Sequence, residues 1–236
     1  MTGRKLTIAF DADDTLWDNE THYLQASARL KHILSRYQDP ERVEQELGET
    51  DIRNVDRYGY GIKSYTLSMI EVAIRATDGQ IAGRDVQKIL ELGQEMLSGD
   101  VLLFEHAEET LAHLAGGHNL MLVTKGDLVE QGNKLDRSGL AGYFRHVEIV
   151  REKTAAVYRL LLDRHGISPE WFMMVGNSLK SDILPVVEIG GRAVYIPYQH
   201  TWAYERTAGD RKPGQAYYEL EHLGQLPGLV DALDRP

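Results

Sequence analysis

The chain has 236 residues, and acidic residues outnumber basic ones by 36 to 26, which gives a formal net charge of −10. That charge disfavours binding to nucleic acid or to an anionic membrane surface. The absence of cysteine excludes disulfides, zinc-thiolate sites and thiol catalysis, and it favours a cytoplasmic location. Apolar residues make up 42% of the chain, enough for a globular core, and no apolar run is long enough to cross a membrane.

Five short apolar runs predict buried strands. Their residues do not alternate strictly between apolar and polar, which is typical of parallel strands covered on both faces. Helical periodicity falls between the later runs, at Leu128 to Ser138 and at Thr154 to Arg164, and a last short strand and helix are expected after Pro197. This alternation predicts an α/β fold with a doubly wound, Rossmann-like parallel sheet. The five runs are Leu6 to Phe10, Asn119 to Thr124, His146 to Val150, Trp171 to Gly176 and Arg192 to Pro197.

Roughly eighty residues between the first and second strands break this rhythm. Apolar residues recur there at spacings of three and four in three stretches, Tyr23 to Tyr37, Leu67 to Ile74 and Val86 to Leu97, which predicts an all-helical insertion. We therefore expect a core domain in two parts, 1–18 and 100–236, and a helical domain at 19–99.

A glycine-punctuated segment, Arg53 to Lys63, is predicted to be a loop that separates helices of the insertion. Its glycines permit a tight backbone path close to a ligand. Four cationic and aromatic side chains of the segment are expected to contact the substrate: Arg57, Tyr58, Tyr60 and Lys63. The competing interpretation is a plain turn between helices with surface side chains.

Polar residues follow the ends of four predicted strands, where open parallel sheets bind their ligands. Asp11 and Asp13 point the same way in an extended chain, so their spacing places two carboxylates in one pocket. Their repulsion needs a cation, and the oxygen-rich surroundings fit Mg²⁺, with Asp11, Asp13 and Asp182 as ligands. The full set is Asp11, Asp13 and Thr15 after the first strand, Thr124 after the second, Lys153 after the third, and Asn177, Ser178 and Asp182 after the fourth.

Four motifs occur in an order that resembles the haloacid dehalogenase-like hydrolase superfamily, in its magnesium-dependent phosphatase branch with a helical cap. "DADDT" is similar to the family's DxDxT, "LMLVT" to its strand closed by Ser or Thr, "REKTAAVYRLL" to its lysine motif, and "MMVGNSLKSD" to its acidic motif. Many members carry Asp at the position of Asn177, so we expect this residue to orient other groups rather than to hold the metal. Asp14 and Lys125 are interpreted as flanking residues that face away from the pocket.

The resemblance implies hydrolysis of a small phosphorylated metabolite. Asp11 would be the nucleophile that forms an aspartyl-phosphate, and Asp13 would protonate the leaving alcohol and then activate water. Thr124 would bind the phosphoryl oxygens, and Lys153 would balance the charge of Asp11 and of the transferred group. Binding or orientation of the phosphate is assigned to Thr15, Gly126, Asn177 and Ser178.

Four other functions remain open from the sequence. A 2-haloacid dehalogenase of the same superfamily uses the first aspartate without a metal, but that branch typically lacks the second aspartate, which is present here as Asp13. A phosphomutase also uses two aspartates. A phospho-receiver module has an acidic pocket, a Thr and a Lys, but its phosphoacceptor follows a middle strand and it has no helical insertion of this size. A non-catalytic binding domain is disfavoured by the complete set of polar residues.

Overall fold

The structure, a computed structural model, describes residues 5–199 and 217–234. The chain divides into two compact units. The core unit comprises Met1–Asp18, Val101–Lys125 and Asn133–Pro236, and the helical unit comprises Asn19–Asp100 and Gly126–Gly132. No helix within the described ranges has the length and apolar character needed to span a membrane.

The core unit is built on a parallel sheet of six strands in the order β3-β2-β1-β4-β5-β6. All five predicted strands are present, and the short final strand is β6. The predicted doubly wound α/β fold is therefore confirmed. The strands are β1 Thr7–Phe10, β2 Asn119–Lys125, β3 His146–Val150, β4 Phe172–Gly176, β5 Arg192–Tyr195 and β6 Tyr218–Glu219.

The central strands carry apolar side chains on both faces of this sheet. In β1, Ile8 and Phe10 pack into one apolar cluster of the core unit, whereas Ala9 packs into the other. Each central strand is thus buried on both sides, which explains why its sequence is a continuous apolar run. The clusters also fix β1 between β2 and β4, with Phe10 beside Leu122 and Val175.

Helices connect the strands of the core unit much as the sequence predicts. Thr154, the first residue of the predicted helix, is instead the N-cap of α7. Its hydroxyl accepts from Val157 N at 3.3 Å. The same helix ends at Gly166, whose φ of +64° suits glycine at a helix C-terminus. The helices after the insertion are α5 Ala107–Ala115, α6 Leu128–Ser138, α7 Ala155–His165, α8 Leu184–Glu188 and α9 Leu226–Asp234.

The helical unit contains four helices between the first two strands, whereas the apolar spacing predicted three. The additional helix is α2, which begins at Pro40 after the N-cap Asp39. Its buried face includes Thr50, Asp51 and Asn54, so half of the positions that face inward are polar and the apolar period is weak. The four helices are α1 Glu20–Leu34, α2 Pro40–Tyr58, α3 Ile62–Ala76 and α4 Gly83–Ser98.

The predicted loop from Arg53 to Lys63 is wrong over most of its length. Arg57 and Tyr58 form the end of α2, and Lys63 lies in the first turn of α3. Only Gly59–Gly61 connect the two helices, with Tyr60 between two glycines whose φ angles are +79° and +109°. These angles allow a sharp connection that other residues adopt only with strain.

Residues 126–132 group with the helical unit, although the sequence places them in the core domain. Lys63 Nζ lies 2.6 Å from Asp127 Oδ2. Glu130 Oε2 accepts from Ile62 N at 2.9 Å and so satisfies a free amide at the start of α3. These contacts join segments more than sixty residues apart, which the local sequence pattern does not reveal.

Candidate active site

Asp11 is the first residue after β1, at the carboxyl edge of the sheet. Its backbone N–H donates to Val175 O at 2.9 Å, which extends the pairing with β4 by one residue and fixes the start of the loop. The Asp11 side chain is buried, and Oδ2 lies 3.3 Å from the hydroxyl of Thr15. That hydroxyl also lies 3.3 Å from Asn177 Oδ1, so Thr15 links the first and last motifs.

Lys153 joins the carboxylates of Asp11 and Asp182. It lies between β3 and α7, and its ammonium donates to Asp182 Oδ1 at 2.7 Å and to Asp11 Oδ1. All three side chains are buried. Although burial opposes a charged ammonium, the two carboxylates raise the pKa of Lys153 above its ordinary value. Lys153 is therefore a fixed positive charge between two negative ones.

The electrostatic balance at Asp11 remains unfavourable for its ionised form. Burial raises the pKa of Asp11 to about 7, Lys153 acts in the opposite direction, and the charges of Asp182 and Asp13 raise it further. Lys153 thus offsets only part of the cost of burying the ionised Asp11 carboxylate. A second cation near Asp11 would favour the ionised carboxylate.

Asp182 lies in a π-helical turn, Leu179–Ile183, that follows β4. Ser178 shapes this turn, because its backbone N–H donates to Asp182 Oδ2 and its hydroxyl accepts from Ser181 N, both at 3.0 Å. Gly176 allows the close approach of the aspartate, since a Cβ atom there would lie 2.3 Å from Asp182 Oδ2. The spacing Gly-Asn-Ser-x-x-x-Asp therefore has a direct structural reason.

Asp13 belongs to a second network that the sequence does not predict. Both of its carboxylate oxygens lie 2.7 Å from Lys134 Nζ, and Oδ1 also accepts from Trp17 Nε1 at 2.7 Å. Lys134 is on α6, 121 positions away, and is 7% exposed. The sequence feature that could have indicated this contact is a lysine at an inward position of a helix, beside the buried Leu135.

The model of the haloacid dehalogenase-like hydrolase family matches residues 6–190 of the chain, a span that includes all of these side chains. The chain belongs to this family. It is therefore a hydrolase whose helical insertion stands between the first and second of the family's motifs.

Solved structures of family members share the fold of this hydrolase. A haloacid dehalogenase-like hydrolase from Xanthomonas campestris is 37% identical, with a TM-score of 0.87 over 99% of this chain and 94% of that one. A 2-haloacid dehalogenase from Pseudomonas syringae is 23% identical, with a TM-score of 0.64 over 98% of this chain and all of that one (100%). The second likeness concerns the fold alone.

Curated relatives of this hydrolase are phosphatases. A glyceraldehyde 3-phosphate phosphatase from Pyrococcus furiosus is 30% identical over 135 residues, which cover 55% of this chain and 53% of the relative. The aligned part thus spans about half of that protein. The human N-acylneuraminate-9-phosphatase is 24% identical over 98% of this chain and 96% of its own length.

Thr124 and Lys125 close β2 of the hydrolase. Thr124 is buried, and its hydroxyl donates to Lys125 O at 3.3 Å. The interpretation of Lys125 as a flanking residue that faces away is wrong, because its ammonium donates to Ser181 Oγ at 3.0 Å, in the turn that carries Asp182. Gly126 has a φ of +138° and belongs to the helical unit, as do the four predicted substrate-contacting residues.

A magnesium ion requires oxygen ligands in a nearly octahedral arrangement. Within the described residues, no group of three or more His, Asp or Glu side chains is arranged to hold a metal ion. Asp11 and Asp182 nevertheless present two buried carboxylates, and burial, with the charges of Asp182 and Asp13, raises the pKa of Asp11 despite the opposing Lys153. Because Mg²⁺ usually takes one or two carboxylates and keeps several waters, this set fits the ion.

Proposed function

We propose that this hydrolase is a magnesium-dependent phosphatase that cleaves a small phosphomonoester through an aspartyl-phosphate. The observation that carries the proposal is the buried pair of Asp11 and Lys153 at the carboxyl end of the central strand, with a second aspartate two residues on. Two carboxylates with different hydrogen-bond partners suit two different tasks, attack and proton transfer.

Asp11 would attack phosphorus in line with the leaving oxygen. Lys153 supports this role, because its buried ammonium neutralises both the nucleophile and the charge that develops on the phosphoryl group. Thr15 orients the carboxylate through Oδ2, and Thr124 is the proposed donor to a phosphoryl oxygen. Asn177 Oδ1 lies 3.3 Å from the same Thr15 hydroxyl, and Asn177 would orient other groups rather than bind the metal.

Asp13 would transfer protons in both half-reactions. It would give a proton to the departing alcohol and later take one from the water that attacks the aspartyl-phosphate. Its carboxylate does not share the ammonium of Lys153 but lies against Lys134, so the two aspartates of the motif have separate cations.

Asp11, Asp182 and an oxygen of Asp13 are the residues proposed to hold Mg²⁺. When bound, the ion would shield the charge between nucleophile and phosphate. Asp182 suits this position because the turn of residues 179–183 fixes it and it is fully buried. The cation would also favour ionisation of Asp11, which burial opposes.

The relatives support a small metabolite as the substrate. One is named for a triose phosphate and another for a phosphorylated sugar acid. The net charge of −10 continues to argue against nucleic acid, and a cytoplasmic location stays a prediction.

The experiment is a screen of the purified protein, with Mg²⁺, against triose phosphates, sugar phosphates, nucleotides, an aryl phosphate and a 2-haloacid. We expect phosphate release from at least one ester, loss of it in EDTA, and recovery on addition of Mg²⁺. Asp11→Asn should reduce activity by more than about a thousandfold, because an amide is not a nucleophile. A folded Asp11→Asn protein that kept a tenth of the activity would contradict the proposed mechanism.

A dehalogenase is the second candidate, because the fold is shared with a 2-haloacid dehalogenase. Halide release that persists in EDTA, without phosphate release from any ester, would establish it instead. A phosphomutase would reveal itself by an isomeric phosphate ester as the product in place of free phosphate.

A further inference from the structure

We propose that Lys134 is the positioning residue of Asp13, and that it holds the carboxylate for the step in which water cleaves the aspartyl-phosphate. The inference rests on the proposed phosphatase function. It assigns a role to a residue on α6 that lies outside the four sequence motifs.

Lys134 contacts both carboxylate oxygens of Asp13. Lys134 Nζ lies at the same distance, 2.7 Å, from both oxygens of Asp13, and Trp17 Nε1 donates to Oδ1 from a second direction. Trp17 is fully buried, and backbone pairing between Asp13 and Trp17 holds the two residues together. Donors on two sides therefore fix both the position and the plane of the carboxylate.

Lys134 is buried, whereas Asp13 is partly exposed. The Lys134 side chain is only 8% exposed, whereas an ordinary lysine on a helix surface extends into water. Burying an ammonium is unfavourable unless a counter-charge accompanies it. Asp13 is that counter-charge, yet its own side chain keeps 22% of its surface exposed and remains accessible to a reactant.

The second half-reaction needs a base that takes a proton from water. Water forms a bond to phosphorus, the bond between phosphorus and the Asp11 oxygen breaks, and its electron pair returns to the Asp11 carboxylate. The proton released by water passes to an oxygen of Asp13, where it is available to the leaving alcohol of the next turnover. A carboxylate fixed by donors on its other sides is oriented to accept that proton.

The test separates the two half-reactions with an aryl phosphate, whose leaving group needs little protonation. For this substrate, kcat/KM reports formation of the aspartyl-phosphate, and kcat reports its hydrolysis when that step is slow. Lys134→Met should lower kcat about tenfold or more and lower KM in proportion, so that kcat/KM stays within about twofold. A burst of the phenol equal to one equivalent of enzyme should precede the slow phase.

Two further variants make the result specific. Lys134→Arg keeps a cation on the same helix and should recover part of kcat. Arg137→Met is the matched control, because it also replaces a cation of α6 by methionine, but at an exposed position one turn later, and it should leave both constants unchanged. Thermal unfolding of each variant establishes that it is folded.

A double variant shows whether Lys134 acts through Asp13. If it does, Asp13→Asn with Lys134→Met should be no slower than Asp13→Asn alone, because the partner is already lost. Equal losses in kcat and kcat/KM, additive losses in the double variant, or an unchanged kcat would overturn the inference. If Lys134→Met does not fold, the kinetics of Lys134→Gln and Lys134→Arg decide in the same way.

The proposed phosphatase function is tested separately from the role of Lys134. It depends on the wild-type protein, which either releases phosphate through Asp11 or does not. A wild type that is active and forms the aspartyl-phosphate, together with unaffected Lys134 variants, would overturn only the positioning role.

Discussion

Single residues of the site differ in how far the sequence predicts them. Asp11, Lys153 and Asp182 lie in the segments that follow three strands, and the shared edge of a parallel sheet brings such segments together, which the contacts of Lys153 confirm. Lys134 and Trp17 have no such position. Their contacts with Asp13 depend on the direction of two side chains, one of them 121 positions distant, and a strand pattern carries no information about either.

We expect replacement of Asp11 and replacement of Asp13 to impair different steps of the reaction. With an aryl phosphate, Asp13→Asn should still form the aspartyl-phosphate but hydrolyse it slowly, by about a hundredfold, because no base remains to take the proton of water. Rapid-quench measurement of the initial burst and of the steady rate checks this. A variant that lost only affinity, with kcat unchanged and no burst, would show that Asp13 is a ligand or a structural residue.

Whole elements are predictable where their pattern is apolar. The central strands β1, β2 and β4 are continuous apolar runs because both of their faces are covered. The edge strand β3 contains no buried residue, although its sequence predicts a buried strand, yet all five predicted strands are present. α2 was missed for the opposite reason, since Thr50, Asp51 and Asn54 occupy inward positions that the apolar period requires to be hydrophobic. Hydrogen bonds replace apolar contact there: Asn54 donates to Ser68 at 3.1 Å and to Glu71 at 2.9 Å.

The junction between β4 and the following π-helical turn is expected to tolerate only glycine at position 176. In Gly176→Ala, the added Cβ would lie 2.3 Å from Asp182 Oδ2 and 2.7 Å from its Cβ, so the aspartate must move. We expect activity to fall by about tenfold or more and the free energy of unfolding by about 1–3 kcal/mol. Phosphate release and urea unfolding measure the two effects.

Gly228→Ala is the control for this substitution. Gly228 lies in α9 of the same unit, and nothing lies within 4 Å of the Cβ atom that alanine would add. Alanine is the better helix former, so this variant should be fully active and no less stable than the wild type. Similar losses in both variants would mean that the crowding at Asp182 has no effect on the site.

The end of α2 and its connection to α3 are the predicted determinants of substrate choice within the helical unit. Arg57→Ala and Tyr60→Ala should lower kcat/KM for the best natural ester about tenfold, or about 1.4 kcal/mol of transition-state binding, while an aryl phosphate is hydrolysed as before. Arg42→Ala serves as control, because Arg42 is an exposed cation in the first turn of the same helix. Losses of equal size on both substrates would exclude a role in reading the leaving group.

The molecule as a whole combines an acidic charge balance with a site where carboxylates are concentrated and buried. The net charge is −10, and the site places Asp11 and Asp182 against Lys153, and Asp13 against Lys134. The folded state therefore disfavours the ionised form of Asp11, although this is the form that the proposed catalysis needs. A bound cation would favour the ionised Asp11 carboxylate within the folded protein. We therefore expect the cost of ionising Asp11 to become measurable when the cation is removed.

Stability in chelator should consequently depend on pH through Asp11. Its pKa is raised to about 7 in the folded protein from an ordinary value near 3.8, so the folded state holds the proton more tightly than the unfolded state. The stabilisation is complete below pH 3.8 and is lost as the pH rises through 7, with a slope of up to about 1.4 kcal/mol per pH unit.

Asp11→Asn cannot ionise and should lack this contribution, whereas other titrating groups, histidines included, are common to both proteins. Urea unfolding in EDTA at pH 5, 6, 7 and 8 gives the difference in free energy of unfolding between wild type and variant, which should move against the wild type as the pH rises. A difference that stays constant over this range would mean that Asp11 is already ionised at pH 5, held so by Lys153 alone, and that the site needs no second cation to prepare its nucleophile.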